Sequence, residues 1–328
     1  MVLLVYFSAP SVYNNNNRTS RTSPRKRVMC PREGILFLRR RKAMELKKPT
    51  TYQEQLEILQ NRNVVIDDPK MCEAVLERVG YYRLTAYMLP FKQIDGSYSC
   101  GTRLDTIYRI YEFDRKLRGV LISALEEVEV FLRSKFSYYH AHKYGPEGYM
   151  DPANYSQDHK SEKFQEALER EIASNRQSAF VKHHNEHYDG HFPIWVITEL
   201  FTFGMLSRFY SDMQTSDKKK LAKEIYGTIP KNVTSWLRCC TDLRNICAHY
   251  GRLYYRIFPA VPANVTVDAK QISKLWGAVL ALRELYPHQD KWNGEILTRL
   301  SALFEEYQAD ISLVHIGFPD DWENQIHK

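Results

Sequence analysis

Apolar side chains recur at intervals of three and four residues through most of this 328-residue chain. The longest run places apolar residues on one face at Ile110, Phe113, Leu117, Val120, Ala124, Val128 and Phe131. This spacing predicts a long amphipathic helix, and Thr102-Arg103-Leu104-Asp105 resembles a capping box at its start. A second stripe, Leu237, Cys240, Leu243 and Cys247, predicts a helix over residues 233–248.

The same periodicity predicts shorter helices at residues 52–61, 69–79, 81–90, 162–175, 180–188, 193–213, 269–285 and 294–309. No segment alternates apolar and polar side chains as a half-buried strand would. The sequence therefore predicts an all-α helical bundle. We divide it into an N-terminal helical segment (49–102), a central core (103–262) and C-terminal helices (263–328).

The positive charge of the chain is concentrated in residues 1–48. The net charge is +7, but this segment carries 12 Lys and Arg against two Glu, whereas the remainder carries 34 basic and 37 acidic residues. Its basic, low-complexity composition predicts a disordered extension. A nucleic-acid site in the folded part must therefore be a local patch rather than a generally basic surface.

Two interpretations of this extension remain open. It is either an arm that steers RNA to the protein, or upstream sequence from a misannotated start, with Met44 as the first residue. We favour the second, because ordered patterning begins only at Tyr52. Residues 1–7 lack the charged flank of a signal peptide, and no later run approaches the roughly 20 apolar residues that span a bilayer. The expected location is the cytoplasm, without membrane contact.

Cysteine and histidine do not indicate a metal site. The six cysteines include no C-x-x-C pair, which argues against a zinc ribbon and a disulfide framework. His183, His187 and His191 could share one helix face, but Gly190 and Pro193 should end that helix before the third histidine. We therefore predict no metal and no cofactor.

The most informative segment is Arg244-Asn245-Ile246-Cys247-Ala248-His249, at the end of an apolar helix. A guanidinium grips a phosphodiester and an imidazole moves the proton of a 2'-hydroxyl, so together they suffice for RNA cleavage without a metal. The spacing alone is not specific, because an Arg and a His with four to six residues between them also occur at Arg133/His140, Arg176/His183 and Arg283/His288. Its context is distinctive: Asn follows the arginine and Ala precedes the histidine.

Arg244 and His249 would not face each other on a regular helix, since five residues rotate the chain to a separation of about 140°. One possibility is that the helix ends or distorts just before His249, with Gly251 as a helix-ending residue nearby. The other is that two copies of the chain assemble the pair across a dimer.

The long central helix carries a charged stripe of Glu126, Glu129 and Arg133. Their spacing puts all three on one face. They form either a solvated face with helix salt bridges or a support for Arg244, and the sequence pattern alone favours the first.

Several blocks resemble the Abi-like phage-resistance family. They are Tyr81-Tyr82-Arg83-Leu84, Tyr111 to Arg118, Leu125 to Arg133, and Pro193-Ile194-Trp195 followed by Glu199 and Phe203-Gly204. Arg244-Asn245-x-x-x-His249 resembles the signature of HEPN ribonucleases. The resemblance covers roughly residues 50–262. It implies an HEPN-type bundle, a homodimer, a role in abortive infection, and metal-independent endonucleolytic RNA cleavage that leaves a 2',3'-cyclic phosphate.

The resemblance also implies catalytic roles for three residues. His249 would be the general base or acid for the 2'-hydroxyl, and Arg244 would hold the scissile phosphate. Asn245 would orient the pair.

Further roles follow from the same resemblance. Arg252 would bind RNA, and Glu129 and Arg133 would support Arg244. Apart from the resemblance, the aromatic ring of Tyr250 makes it a further candidate for RNA binding. A histidine near His184 is common in the family, which implies a structural role for it here.

Two other functions remain open. A non-catalytic module could hold a structured, regulatory small RNA with Arg244, Arg252 and His249, while Tyr250, Tyr254 and Tyr255 stack on bases. A zinc-dependent hydrolase would instead require bound metal and depend on His187.

Overall fold

The computed structural model describes residues 46–265 and 268–327. Within these ranges the chain forms helices and three isolated bridge pairs but no β-sheet, which confirms the all-α prediction. The predictions for residues 1–45, including the possible start at Met44, lie outside the described residues.

The helices have the following bounds: α1 Tyr52–Gln60, α2 Pro69–Val79, α3 Tyr81–Met88, α4 Leu104–Tyr144, α5 Ser161–Ser174, α6 Ala179–His187, α7 Ile194–Ile197, α8 Phe203–Asp212, α9 Thr215–Tyr226, α10 Pro230–Ala248, α11 Ala269–Ile272, α12 Leu275–Leu285, α13 Gln289–Lys291, α14 Thr298–Glu306 and α15 Trp322–Ile326. Short 3-10 turns lie at Leu89–Phe91, Gly148–Met150, Pro152–Asn154, Thr198–Leu200 and Leu313–His315, and Trp292–Leu297 is π-helical.

Helix α4, with 41 residues, is the axis of the fold. Its apolar stripe is buried against α3, α7, α8, α10, α12 and α14, which pack around it. Phe113, Leu117 and Leu121 are completely buried. Burial of each such side chain stabilises the folded state by about 1.5–3 kcal/mol. α10 lies between α4 and α12, so the helix that carries the Arg-His motif is held on both sides.

Four details of the sequence-based prediction are wrong. No side chain caps α4: Arg103 is its N-cap, and the Thr102 hydroxyl donates to the Ser99 carbonyl at 2.7 Å. The predicted helix at 193–213 is broken, and α8 starts afresh with the Thr202 hydroxyl as its cap. The predicted helix at 269–285 is likewise two helices. α9 was not predicted, because its lysine-rich sequence has a narrow apolar face.

Candidate active site at the end of α10

The end of α10 lies where the sequence places it. The helix ends at Ala248, and His249 is its C-cap, with its N–H still donating to the Asn245 carbonyl at 3.0 Å. His249 therefore continues the helical rotation. Among the described residues, no hydrogen bond or ring contact joins the side chains of Arg244 and His249. The end of the helix alone does not bring them together.

The chain reverses through a left-handed residue directly after His249. Tyr250 has φ +55°, its N–H donates to the Cys247 carbonyl at 3.2 Å, and the N–H of Gly251 donates to the Ile246 carbonyl at 2.8 Å. These two bonds form a Schellman motif, in which glycine is the usual left-handed residue. Here the glycine comes one position later, where a Cβ would meet the Ile246 side chain at 3.0 Å.

A buried charged pair on α4 anchors the returning chain. The carboxylate of Asp114 accepts from the backbone N–H groups of Leu253 at 3.1 Å and Tyr254 at 2.8 Å. Arg118 pairs with Asp114 and donates to the Gly251 carbonyl at 3.1 Å. Burial raises the pKa of Asp114, and Arg118 and the backbone donors oppose that shift. Sequence reasoning missed this pair, although an acid and a base four residues apart among apolar neighbours were its visible signal.

Arg244 meets the charged stripe of α4. Its Nε lies 3.7 Å from Oε2 of Glu129, and the other oxygen of that carboxylate accepts from Arg133 at 2.6 Å. Arg133 also donates to the Phe201 carbonyl at 2.8 Å and lies 3.6 Å from Glu199. Glu129 is nearly buried, with 14% of its side chain exposed, whereas 30% of Arg244 is exposed. A fixed carboxylate thus holds one edge of the Arg244 guanidinium while part of it faces solvent.

The break between α7 and α8 supplies a hydrogen-bond acceptor for Arg133. In a continuous helix over 193–213 the Phe201 carbonyl would accept from a backbone N–H of that helix, whereas the break leaves the oxygen available to Arg133. Glu126, the third member of the predicted stripe, is exposed and joins no ion pair among the described residues.

Asn245, His249 and Tyr250 are exposed around the end of α10. Within the described part of the chain, the side chains of Asn245 and His249 have no hydrogen-bond partner. They are therefore accessible to a ligand, but Asn245 does not connect Arg244 to His249 within one chain.

Arg252 is placed differently from the other candidate residues. Its guanidinium donates to the Ala86 carbonyl of α3 and lies 5.9 Å from the centre of the Tyr87 ring. Burial lowers its pKa from the usual value. These contacts tie α3 to the segment after α10.

On α6 the ring centres of His183 and His187 lie 4.8 Å apart, and those of His183 and His184 lie 5.5 Å apart. α6 ends at His187, as predicted, and His191 beyond it contacts Glu147 at 2.7 Å. The ring of His184 stacks on Phe192 at 5.2 Å. In the described ranges, no three His, Cys, Asp or Glu side chains form a group that could hold a metal ion.

The candidate site lies on the surface rather than in a deep pocket. A cavity of about 770 Å³ lies between α4 and α9, with Tyr139, Lys143 and Asp217 in its wall. None of the candidate residues at the end of α10 lines it.

The comparisons with known proteins concern this same region. A model of the Abi-like protein family matches residues 74–255, a span that includes α4, α10 and every candidate site residue. No curated protein and no solved structure matches the chain. No helix in the described part of the chain is long and apolar enough to cross a membrane. Since the match covers more than half of the sequence, this chain belongs to the Abi-like protein family.

Proposed function

We propose that this protein is a metal-independent endoribonuclease of the HEPN type that acts in abortive infection. Membership of the Abi-like family supports the setting of phage defence. The ribonuclease activity is supported by the arrangement at the end of α10. There Arg244 lies beside the nearly buried Glu129, and His249, five residues later, is exposed.

Each of these side chains suits one part of the reaction. The imidazole of His249 takes the proton of a 2'-hydroxyl, and the resulting oxygen attacks the adjacent phosphorus. The new P–O2' bond forms as the P–O5' bond breaks, and the 5'-oxygen leaves with a proton from water or an imidazolium. The products are a 2',3'-cyclic phosphate and a 5'-hydroxyl. The exposed part of the Arg244 guanidinium binds the phosphate and stabilises its developing negative charge.

Two copies of the chain complete the site in this proposal. Arg244 and His249 project about 140° apart on the helix, and no contact within the described chain joins them. A homodimer that brings the α10 ends together supplies the arginine from one copy and the histidine from the other. Glu129 and Arg133 then keep Arg244 oriented toward the partner.

Growth after induction, followed by sequencing of RNA ends, tests the proposal. Wild type should arrest growth and leave new cyclic-phosphate ends, and both Arg244→Ala and His249→Ala should remove these effects. His288→Ala is the matched control, because His288 is exposed and belongs to another Arg-His pair of the same spacing. Arrest that persists in both site variants would overturn the proposal.

A non-catalytic binder of a structured small RNA is the second candidate. The exposed ring of Tyr250 and the separation of Arg244 from His249 favour it. It predicts that intact RNA crosslinks equally to wild type and His249→Ala, whereas the enzyme proposal predicts that wild type yields cleaved RNA.

A further inference from the structure

A long-range hydrogen bond joins helix α3 to the turn that directly follows α10. The Arg83 guanidinium donates to the Tyr250 carbonyl at 3.1 Å, across 167 positions of sequence. Arg83 is exposed and makes no ion pair within the described ranges. The bond therefore places a positive charge and the neighbouring residues of α3 beside the candidate active site.

Two tyrosine rings project from this junction into solvent. Tyr82, next to Arg83 on α3, is 76% exposed, and Tyr250 is 70% exposed. Most other tyrosines in the described part of the chain are buried or half-buried. Exposed rings beside an exposed guanidinium are the combination that binds unpaired bases and their phosphates.

Tyr250 and Tyr255 are the two tyrosines with a left-handed backbone in the described part of the chain, and only the ring of Tyr250 is largely exposed, since that of Tyr255 packs on His315. A left-handed conformation costs a non-glycine residue about 1–2 kcal/mol, and glycine would occupy this position without strain. The turn is stabilised by its backbone hydrogen bonds and by the bond from Arg83, but the phenol ring of Tyr250 is largely exposed and adds little packing of its own. Strained non-glycine residues of this kind cluster at functional sites.

We infer that Tyr82, Arg83 and Tyr250, here called the α3–α10 platform, bind unpaired bases of RNA beside the proposed active site. The inference rests on the proposed function only in so far as a substrate would use this platform. Tyr82 and Tyr250 each stack on a base face, and Arg83 contacts the intervening phosphate or a base. A duplex hides its base faces, so it cannot use the platform.

Equilibrium binding in the full chain tests the inference. The probe is a fluorescein-labelled 12-nucleotide RNA of mixed sequence, alone or annealed to its complement, with fluorescence anisotropy as the readout. All proteins carry His249→Ala, so that binding is measured without cleavage. Tyr82→Ala and Tyr250→Ala should each weaken single-strand binding by about 5- to 150-fold, and Tyr250→Phe should retain it. Binding of the duplex should be weaker and insensitive to these changes.

Two further variants separate stacking from stability. Tyr250→Gly accepts the left-handed backbone without strain, so it should fold normally and still lose affinity. Tyr138→Ala is the matched control, because Tyr138 is 66% exposed but lies on α4, outside the platform. Unchanged single-strand affinity in Tyr82→Ala and Tyr250→Gly would overturn the inference, as would equally tight duplex binding or no detectable RNA binding.

The outcomes distinguish this inference from the proposed function. If wild type cleaves RNA while the platform variants keep full affinity, the inference fails and the enzyme proposal stands. If wild type never cleaves but the platform variants lose single-strand binding, the enzyme proposal fails and the inference stands.

Discussion

Glu129 lies 3.7 Å from Arg244 and joins the two helices that carry the candidate site. Its second carboxylate oxygen accepts from Arg133 at 2.6 Å, so its position is fixed from its own helix. The Glu129 carboxylate can therefore orient the Arg244 guanidinium. Because this one negative charge is shared between Arg133 and Arg244, it does not fully neutralise the positive charge of Arg244.

Replacing Glu129 with Gln should slow RNA cleavage while leaving the fold intact. The amide keeps the shape but loses the charge that orients Arg244, and small misplacements of a catalytic group cost roughly 10- to 100-fold in rate. Single-turnover cleavage rates and thermal unfolding check this together. Glu126→Gln, on the same helix and exposed, should match wild type. Equal rates for the two variants would show that Glu129 does not act through Arg244.

Mixing two inactive variants should restore activity if the site is shared between copies. A mixed dimer contains one Arg244→Ala chain and one His249→Ala chain. If each active site takes its arginine from one chain and its histidine from the other, one of the two sites in this dimer has both wild-type residues. We expect the mixed sample to recover a fraction of wild-type cleavage after subunit exchange, whereas each variant alone stays inactive. Failure to recover activity in a verified mixed dimer would place both residues in one chain.

Arg252→Ala should reduce stability more than RNA affinity. Its guanidinium donates to the carbonyl of the half-buried Ala86, so truncation removes a hydrogen bond at a cost of about 0.5–1.5 kcal/mol in the free energy of unfolding. A residue that binds a phosphate would instead reduce the salt dependence of RNA binding. Chemical denaturation and a salt titration of RNA affinity distinguish these results. A changed salt slope at unchanged stability would restore the phosphate-binding role implied by the family resemblance.

His140 should make the fold sensitive to acid. It is buried in α4 among Tyr144 and Phe209, neither ring nitrogen has a hydrogen-bond partner in the described part of the chain, and burial lowers its pKa to about 4. In the unfolded chain the same imidazole has its usual pKa near 6.5, so on acidification the unfolded state binds this proton before the folded state does. Stability should therefore fall as pH drops from about 6.5 to 4, by about 3 kcal/mol in total.

Denaturant unfolding at several pH values measures this dependence. His140→Phe keeps an aromatic ring in place and should flatten the curve over that interval. His142→Ala, an exposed histidine two residues away, should leave the curve unchanged. If the free energy of unfolding of His140→Phe falls with pH as steeply as that of wild type, other groups cause the acid sensitivity.

Periodicity predicted the parts of the site that depend on single helices. The apolar spacing located α4 and α10, and the i, i+4 spacing of Glu129 and Arg133 placed these two residues on one face of α4. The pattern alone favoured a solvated face, whereas only 14% and 20% of these side chains are exposed and Glu129 lies 3.7 Å from Arg244. Gly251 marked the end of α10, although the left-handed residue is Tyr250. These features follow from local spacing, which a sequence displays directly.

Contacts between distant segments could not be predicted in the same way. The bond from Arg83 to Tyr250 and those from Asp114 to Leu253 and Tyr254 depend on how α3, α4 and the segment after α10 pack. The Phe201 carbonyl accepts from Arg133 because the helix is broken there, and the continuous apolar pattern of 193–213 does not indicate that break. Such contacts leave no periodic signal, because each involves single residues far apart in the chain.

Cleavage without a metal can be measured with purified protein, a defined single-stranded RNA and a chelator. Wild type should cleave in EDTA and leave a 2',3'-cyclic phosphate and a 5'-hydroxyl, identified by mass spectrometry. Arg244→Ala and His249→Ala should give no product, and His288→Ala should cleave like wild type. Cleavage that EDTA abolishes, or that His249→Ala retains in full, would contradict the account.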